Sequence, residues 1–160
     1  MTRHTISALV QNKPGVLARM AEEFGKYQVN IISIACGETH RNAISRMVIS
    51  VDADSTEVAR ITSGMQSMDF VIQVDDLSRK EFVDRELVMV KVDMNTETSS
   101  QIMQIVEVFR AVVVGMGETT LTVEMTGDED RVDGLIKLLK PFGIQSMCRS
   151  GKIALKRGDD

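Results

Sequence analysis

The sequence predicts an α+β fold of two small domains, each with the element order βαββαβ. Two observations support this prediction. The spacing of hydrophobic residues changes repeatedly along the chain between the alternation of a strand and the longer period of a helix. The same order of segments occurs twice in the 160 residues, without clear identity between the two halves. The βαββαβ order is that of the ferredoxin-like arrangement, in which two helices pack on one face of a four-stranded antiparallel sheet.

The first domain begins with a strand in which Ile6, Ala8 and Val10 alternate with other residues. A turn at 12–15 leads into a helix, because proline is favoured at the first helical position. The segment 30–36 is apolar on both faces and rich in β-branched residues, which predicts a central strand. The remaining segments are a strand at 46–51, a helix capped within 52–55, and a strand at 70–74.

The charged segment 77–85 is the predicted linker between a first domain at 1–76 and a second at 86–160. The second domain repeats the first. Its expected elements are strands at 87–94, 112–114, 121–125, 144–148 and 152–155, and two helices whose apolar faces are carried by Ile102 to Phe109 and by Val132 to Leu139. The uncovered face of each sheet is expected to be apolar, which favours a homo-oligomer.

The composition limits the classes of partner. Hydrophobic residues make up 43% of the chain, charged residues 26%, and the formal net charge is -4. Without a basic excess, neither nucleic acid nor an anionic membrane surface is an expected partner. No apolar run approaches the roughly 20 residues that span a bilayer, and the first residues lack the apolar core of a signal peptide. The sequence therefore predicts a cytoplasmic protein.

The residues that carry catalysis are scarce. Of the two histidines, His4 lies in the first strand and His40 in a polar loop, and the phosphate-binding and dinucleotide-binding glycine motifs are missing. Cys36 precedes His40 by four residues, but two ligands do not build a closed zinc site, so a core cysteine and a surface histidine are expected instead. The sequence predicts no catalytic residue, no metal site and no cofactor, and hence a protein that is not an enzyme.

One loop has the features of a ligand site. Asn12 to Leu17 join the first strand to the first helix, where free amides at a helix start can bind a small anion such as an amino-acid carboxylate. Gly15 lets a ligand approach the backbone. The amide side chains of Asn12 and Asn30 could bind an α-amino or carboxylate group. The alternative interpretation is a turn and helix cap without a ligand.

These segments also resemble a known family. Asn12–Leu17, Asn30–Ile31 and Ser45–Met47 resemble the ACT domain of regulators of amino-acid metabolism. Three segments of the second half resemble the C-terminal domain of the small, regulatory subunit of acetolactate synthase: Asp84–Val92, Glu107–Arg110 and Arg149–Gly151. The resemblance covers essentially the whole chain, in the family's order.

The resemblance implies a regulatory subunit in which the ACT domain dimerises and binds an effector, usually valine, between two ACT domains. The implied effector-binding residues are Asn12, Pro14, Gly15, Val16, Leu17, Asn30 and Ile31. The implied partner is the catalytic subunit, which would carry thiamine diphosphate, magnesium and FAD and which the small subunit activates and makes subject to feedback inhibition in branched-chain amino-acid biosynthesis. The alternative is a free-standing ACT-domain sensor of an amino acid that acts on another enzyme or a transcription regulator.

The chain departs from the family just before the effector asparagine. Where the family commonly has glycine and an aromatic residue, this chain has Gln28 and Val29. Glycine would end the first helix in the left-handed conformation at little cost in free energy, whereas glutamine in that conformation would cost more. A different local turn is therefore expected here, and the identity of the effector is left open.

Overall fold

The computed structural model describes residues 2–158. Its contacts divide the chain into two compact units: unit 1 comprises residues 2–83 with 152–158, and unit 2 comprises 84–151. In each unit two helices pack on an antiparallel sheet, so the predicted α+β fold of two ferredoxin-like βαββαβ units is confirmed.

Unit 1 contains a four-stranded sheet and two helices. Its elements are β1 (Thr2–Gln11), α1 (Val16–Lys26), β2 (Ile31–Glu38), β3 (Ile44–Ala53), α2 (Ser55–Gln66) and β4 (Val71–Asp76), with a 3₁₀ turn at Leu77–Arg79. The strand order is β2-β3-β1-β4. Alternate residues of β1 face the helices, and Ile6, Ala8 and Val10 are fully buried there against Met20 and Phe24 of α1.

The start of α2 follows the prediction closely. Asp54 is the N-cap, and its carboxylate accepts hydrogen bonds from the amides of Thr56 and Glu57 at 2.8 and 2.9 Å. The side chain of Glu57 accepts a bond from the amide of Asp54 in return, which completes a capping box. The amide of Glu57 is the main reason that the pKa of Asp54 lies below its usual range.

The prediction that residues 30–36 form a central strand is wrong. In the strand order of the unit 1 sheet, β2 lies at the edge and its neighbour is β3. Ile31 and Ile34 pack against the core, but Ile32 is 41% exposed. Cys36 is also exposed, contrary to the expected core cysteine. Apolar residues on both faces of a strand indicate that both faces are packed. They do not indicate how many neighbouring strands the backbone pairs with, so the sequence pattern did not distinguish an edge strand from a central one.

Unit 2 repeats this topology. Its elements are β5 (Phe82–Asp93, beginning in unit 1), α3 (Ser99–Phe109), β6 (Val112–Met116), β7 (Thr120–Gly127), α4 (Glu129–Leu139), a 3₁₀ turn at Lys140–Phe142, and β8 (Ile144–Arg149). The strand order is β6-β7-β5-β8. Gly117 lies in the hairpin between β6 and β7 and donates its amide hydrogen to the carbonyl of Thr120 at 2.8 Å.

The last strand, β9 (Ile153–Lys156), belongs to unit 1 and pairs with β5. Ala154 is buried with Val48 and Leu77 on the side of the unit 1 sheet away from the helices, and Phe82 packs against them. This division differs from the expected one, which placed all residues after 85 in the second domain. We expected the face of the first sheet away from the helices to be uncovered, but β9 and Phe82 cover part of it. The apolar pattern of 152–155 predicted a strand but could not specify which sheet it would join.

Helices α1 and α3 end in the same way. Gln28 and Arg110 have left-handed backbones, with φ of 56° and 52°. After α1, the amides of Gln28 and Val29 donate to the carbonyls of Gly25 and Phe24 at 3.1 Å, the two bonds of a Schellman motif. Gln28 therefore adopts the conformation that a glycine would adopt there, at the cost of backbone strain. The expectation of a different local turn at this position is wrong, because the two hydrogen bonds hold glutamine in the left-handed conformation.

Candidate functional site

The loop between β1 and α1 leaves the start of the helix open. Gly15 is the N-cap residue, with φ 83° and ψ -10°, and no side chain caps the helix. The amide of Val16 donates to the carbonyl of Lys13 at 3.4 Å, and the carbonyl of Gly15 accepts from Arg19 at 3.2 Å. The amides of Leu17 and Ala18 thus face outward at the positive end of the helix dipole, where an anion is favoured.

Gly15 combines a left-handed backbone with free space. An added Cβ would have no heavy atom within 4 Å, so the surface beside the glycine is open to a ligand. Every L residue at φ 83° would be strained, and asparagine and aspartate least so. Pro14 and half-exposed Leu17 flank this surface, but Val16 is buried in the core, so only its backbone is available to a ligand.

Asn12 links two loops of unit 1. Its amide N–H donates to the carbonyl of Ala43 at 2.8 Å, and its side-chain Nδ2 donates to Oε1 of Glu38 at 3.1 Å. The loop after β1 and the end of β2 are therefore adjacent. Glu38 was not identified from the sequence, because a lone acidic residue at a strand end carries no motif; only the parallel course of β1 and β2 brings it beside Asn12.

Asn30 and Ile31 lie at the other end of the same sheet. Ile31 is opposite Val51 of β3, and Val51 is opposite His4 near the start of β1. Glu38, at the Asn12 end, is seven residues further along β2, which corresponds to about 23 Å at the rise of a strand. One chain therefore separates the predicted effector-binding residues into two groups, Asn12 to Leu17 at one end of the sheet and Asn30 to Ile31 at the other.

We find no further candidate for a catalytic or metal-binding site among the described residues. Between residues 2 and 158 no three or more His, Cys, Asp and Glu side chains are grouped to hold a metal ion. His4 is buried, with its Nδ1 3.3 Å from Oδ2 of Asp76, and His40 is exposed in the loop after β2. No helix in this range is long and apolar enough to cross a membrane.

Comparison with known proteins agrees with this architecture. A model described as the small subunit-like ACT domain of acetohydroxyacid synthase matches residues 6–73, and one described as the small subunit of acetolactate synthase matches residues 85–158. The acetolactate synthase small subunit of Aquifex aeolicus is 38% identical over 156 residues, which cover 97% of this chain and 81% of that protein. The chain belongs to the acetolactate synthase small subunit family.

Other members of the small subunit family extend the match. The Mycobacterium bovis small subunit is 39% identical over 97% of this chain and 92% of its own length. The crystal structure of the Thermotoga maritima small subunit superimposes with a TM-score of 0.87 at 31% identity, and all of both chains is covered. The small subunit is the regulatory subunit of the enzyme. The prediction of an acetolactate synthase regulatory subunit with an ACT domain is therefore confirmed.

Proposed function

We propose that this chain is a cytoplasmic, non-catalytic subunit that activates the catalytic subunit of acetolactate synthase and makes it subject to feedback inhibition by valine or a related branched-chain amino acid. Membership of the small subunit family supports the partner. In this proposal thiamine diphosphate, magnesium and FAD belong to the catalytic subunit. The free energy with which the small subunit binds the catalytic subunit would change when the effector is bound.

The separation of the two groups of site residues supports a homodimeric effector site. Because Asn12 and Asn30 lie at opposite ends of one sheet, a single unit 1 cannot place both on one small molecule. A twofold axis between two copies would bring the Asn12 end of one copy to the Asn30 end of its partner and would create two equivalent sites. The exposed edge strand β2, with Ile32 facing outward, is compatible with such an interface.

In each proposed site, a different group of the protein would bind the carboxylate, the α-amino group and the side chain of the effector. The amides of Leu17 and Ala18 would bind the carboxylate, since they carry no side-chain cap. The two asparagines would provide polar partners for the α-amino group. Half-exposed Leu17 and half-buried Ile31 would contact a branched aliphatic side chain. The coupling to the catalytic subunit must be reciprocal: an effector that weakens the active complex binds that complex less well.

A mixing experiment tests the shared site. In a heterodimer of Asn12→Ala and Asn30→Ala chains, one site carries both substitutions and the other carries neither. We expect each variant alone to lose valine binding in a calorimetric titration and the refolded mixture to regain about one site for every two dimers, since half of randomly paired dimers are heterodimers. If the mixture binds no better than the variants, the site is not shared between copies.

A further inference from the structure

The side chain of Glu38 fixes the orientation of the Asn12 amide. An ionised carboxylate only accepts hydrogen bonds, whereas the asparagine amide has a donating NH₂ and an accepting oxygen. The bond from Asn12 Nδ2 to Glu38 Oε1 at 3.1 Å therefore turns the NH₂ group toward the carboxylate and leaves Oδ1 on the other side. The accepting Oδ1 of Asn12 is therefore turned away from Glu38 and is available to a ligand, with the second N–H of the amide beside it.

The backbone holds both residues in place. The amide of Asn12 is bonded to the carbonyl of Ala43, and Glu38 is paired with Ser45 in the β2–β3 ladder. Directly after Glu38, the amide and the hydroxyl of Thr39 both donate to the carbonyl of Ile44, at 2.9 and 3.0 Å. The backbone that carries the Glu38 side chain is therefore a closed, hydrogen-bonded strand end beside Asn12.

The carboxylate of Glu38 lacks a cation. It is exposed, and within residues 2–158 it forms no ion pair with a lysine, arginine or histidine. Asn12 Oδ1 and Glu38 together thus make an acceptor group with negative charge. The open amides of Leu17 and Ala18, in the helix that follows Asn12 after a short turn, make a group of opposite polarity.

We propose that Glu38 determines the polarity of the effector site, by orienting Asn12 and by attracting the ammonium group of a zwitterionic α-amino acid. This inference rests on the proposed effector site and adds its selectivity. The 2-hydroxy and 2-oxo acids with the same side chain have the carboxylate but no ammonium group, so they gain nothing from Glu38. The site therefore selects amino acids over these acids through a charge that the family resemblance did not identify.

Calorimetric titration of the homodimer near pH 7 with valine and with its hydroxy analogue, 3-methyl-2-hydroxybutanoate, tests this selectivity. A hydrogen bond to a charged group contributes enough that we expect Glu38→Gln to weaken valine binding by about tenfold or more. Binding of the hydroxy acid should stay unchanged or become tighter, so the ratio of the two affinities falls. The control is Glu118→Gln, which removes one exposed carboxylate from the β6–β7 turn of unit 2 and should leave the ratio unchanged.

The outcomes separate the two proposals. If wild type binds valine and Glu38→Gln weakens both ligands equally, or neither, the role of Glu38 in selectivity is wrong while the effector site stands. If wild type binds no branched-chain amino acid, both proposals fail. Equal thermal unfolding midpoints of wild type and Glu38→Gln would show that the exposed substitution leaves the fold intact, as its position predicts.

Discussion

The carboxylate of Glu23 in α1 lies directly over Gly64 in α2. Glu23 is only 3% exposed, and a Cβ on residue 64 would overlap its Oε1 and lie 2.6 Å from its Cδ. Glu23 also pairs with Lys26, and this bond raises the pKa of the lysine. A glycine that weakens the helical pattern of α2 thus allows the two helices of unit 1 to pack around a buried carboxylate.

This packing predicts an unequal effect of two glycine substitutions. In α1, Gly25→Ala meets no atom within 4 Å and should stabilise unit 1 by about 0.5–1 kcal/mol, the usual gain of alanine in a helix. Gly64→Ala should gain less by about 1 kcal/mol, because the alanine displaces the buried Glu23 carboxylate from its place over residue 64. Urea unfolding measures the free energy of unfolding of each variant relative to wild type. It also measures that of Gly64→Ala in the Glu23→Ala background relative to Glu23→Ala alone. Without the glutamate, the two alanines should stabilise equally; a deficit that persists would place the cost elsewhere.

The strained end of α1 predicts a stabilising substitution. Gln28→Gly keeps both Schellman hydrogen bonds and removes the cost of a left-handed glutamine, so we expect a gain of about 0.5–1 kcal/mol after the greater chain entropy of glycine. Arg110→Gly should behave in the same way at the end of α3. Gln28→Ala keeps the strain and serves as the control. Thermal unfolding in which the glycine and alanine variants at position 28 are equally stable would show that the strain is negligible.

The ion pair between Arg149 and Glu86 predicts a large effect in unit 2. Nε and Nη2 of Arg149 bond to the two carboxylate oxygens of Glu86 at 2.6 and 2.7 Å, and Nη1 bonds to Asp133 at 2.9 Å. The hydrogen bonds to Glu86 are the main reason that the pKa of Arg149 is raised. Because Glu86 is only 6% exposed, Arg149→Met should destabilise by about 3 kcal/mol by leaving a buried charge unpaired.

A surface pair provides the control for this substitution. Arg3 bonds to Asp52 at 2.9 Å, but both side chains are more than 40% exposed. Arg3→Met should therefore cost less than about 1 kcal/mol. Equal losses for the two arginines in denaturant unfolding would contradict the account of a buried, bidentate pair in unit 2.

Position 15 tests whether the start of α1 binds the effector carboxylate. Asparagine and aspartate have nearly the same shape and both tolerate φ 83° better than other side chains, so Gly15→Asn and Gly15→Asp differ mainly in charge. We expect the aspartate to abolish valine binding and the asparagine to retain part of it, because only the aspartate repels the carboxylate. Calorimetric titration of both variants measures this. Indistinguishable affinities would move the carboxylate away from Gly15.

The sequence was sufficient where local chemistry determines structure. The cap at Asp54 and the buried faces of α2, α3 and α4 follow from residue type and spacing, and they are found as expected. The prediction that Pro14 takes the first helical position is wrong, because α1 begins at Val16 with Gly15 as its N-cap. The edge position of β2 and the return of β9 to unit 1 could not be predicted, because they depend on which strands pair over long separations. The contact of Glu38 with Asn12 and that of Glu23 with Gly64 were missed for the same reason.

The methionines illustrate the same limit. The 11 methionines could mean a core or an adaptable interface, and the structure contains both buried and exposed ones. Met20 and Met65 are fully buried, whereas Met103 and Met116 are 45% and 69% exposed. Helical or strand spacing identifies the buried ones, but an exposed methionine has no signal that separates a binding surface from ordinary surface.

The most direct test of the central claim is the rate of acetolactate formation by the catalytic subunit, measured as this chain is added and valine, leucine or isoleucine is then titrated. We predict that the rate rises to a plateau at a fixed ratio of the two chains, that the chains elute together, and that an effector lowers the rate with wild type but not with Asn30→Ala. A catalytic subunit whose rate is unchanged by this chain, with no co-elution, would contradict the account.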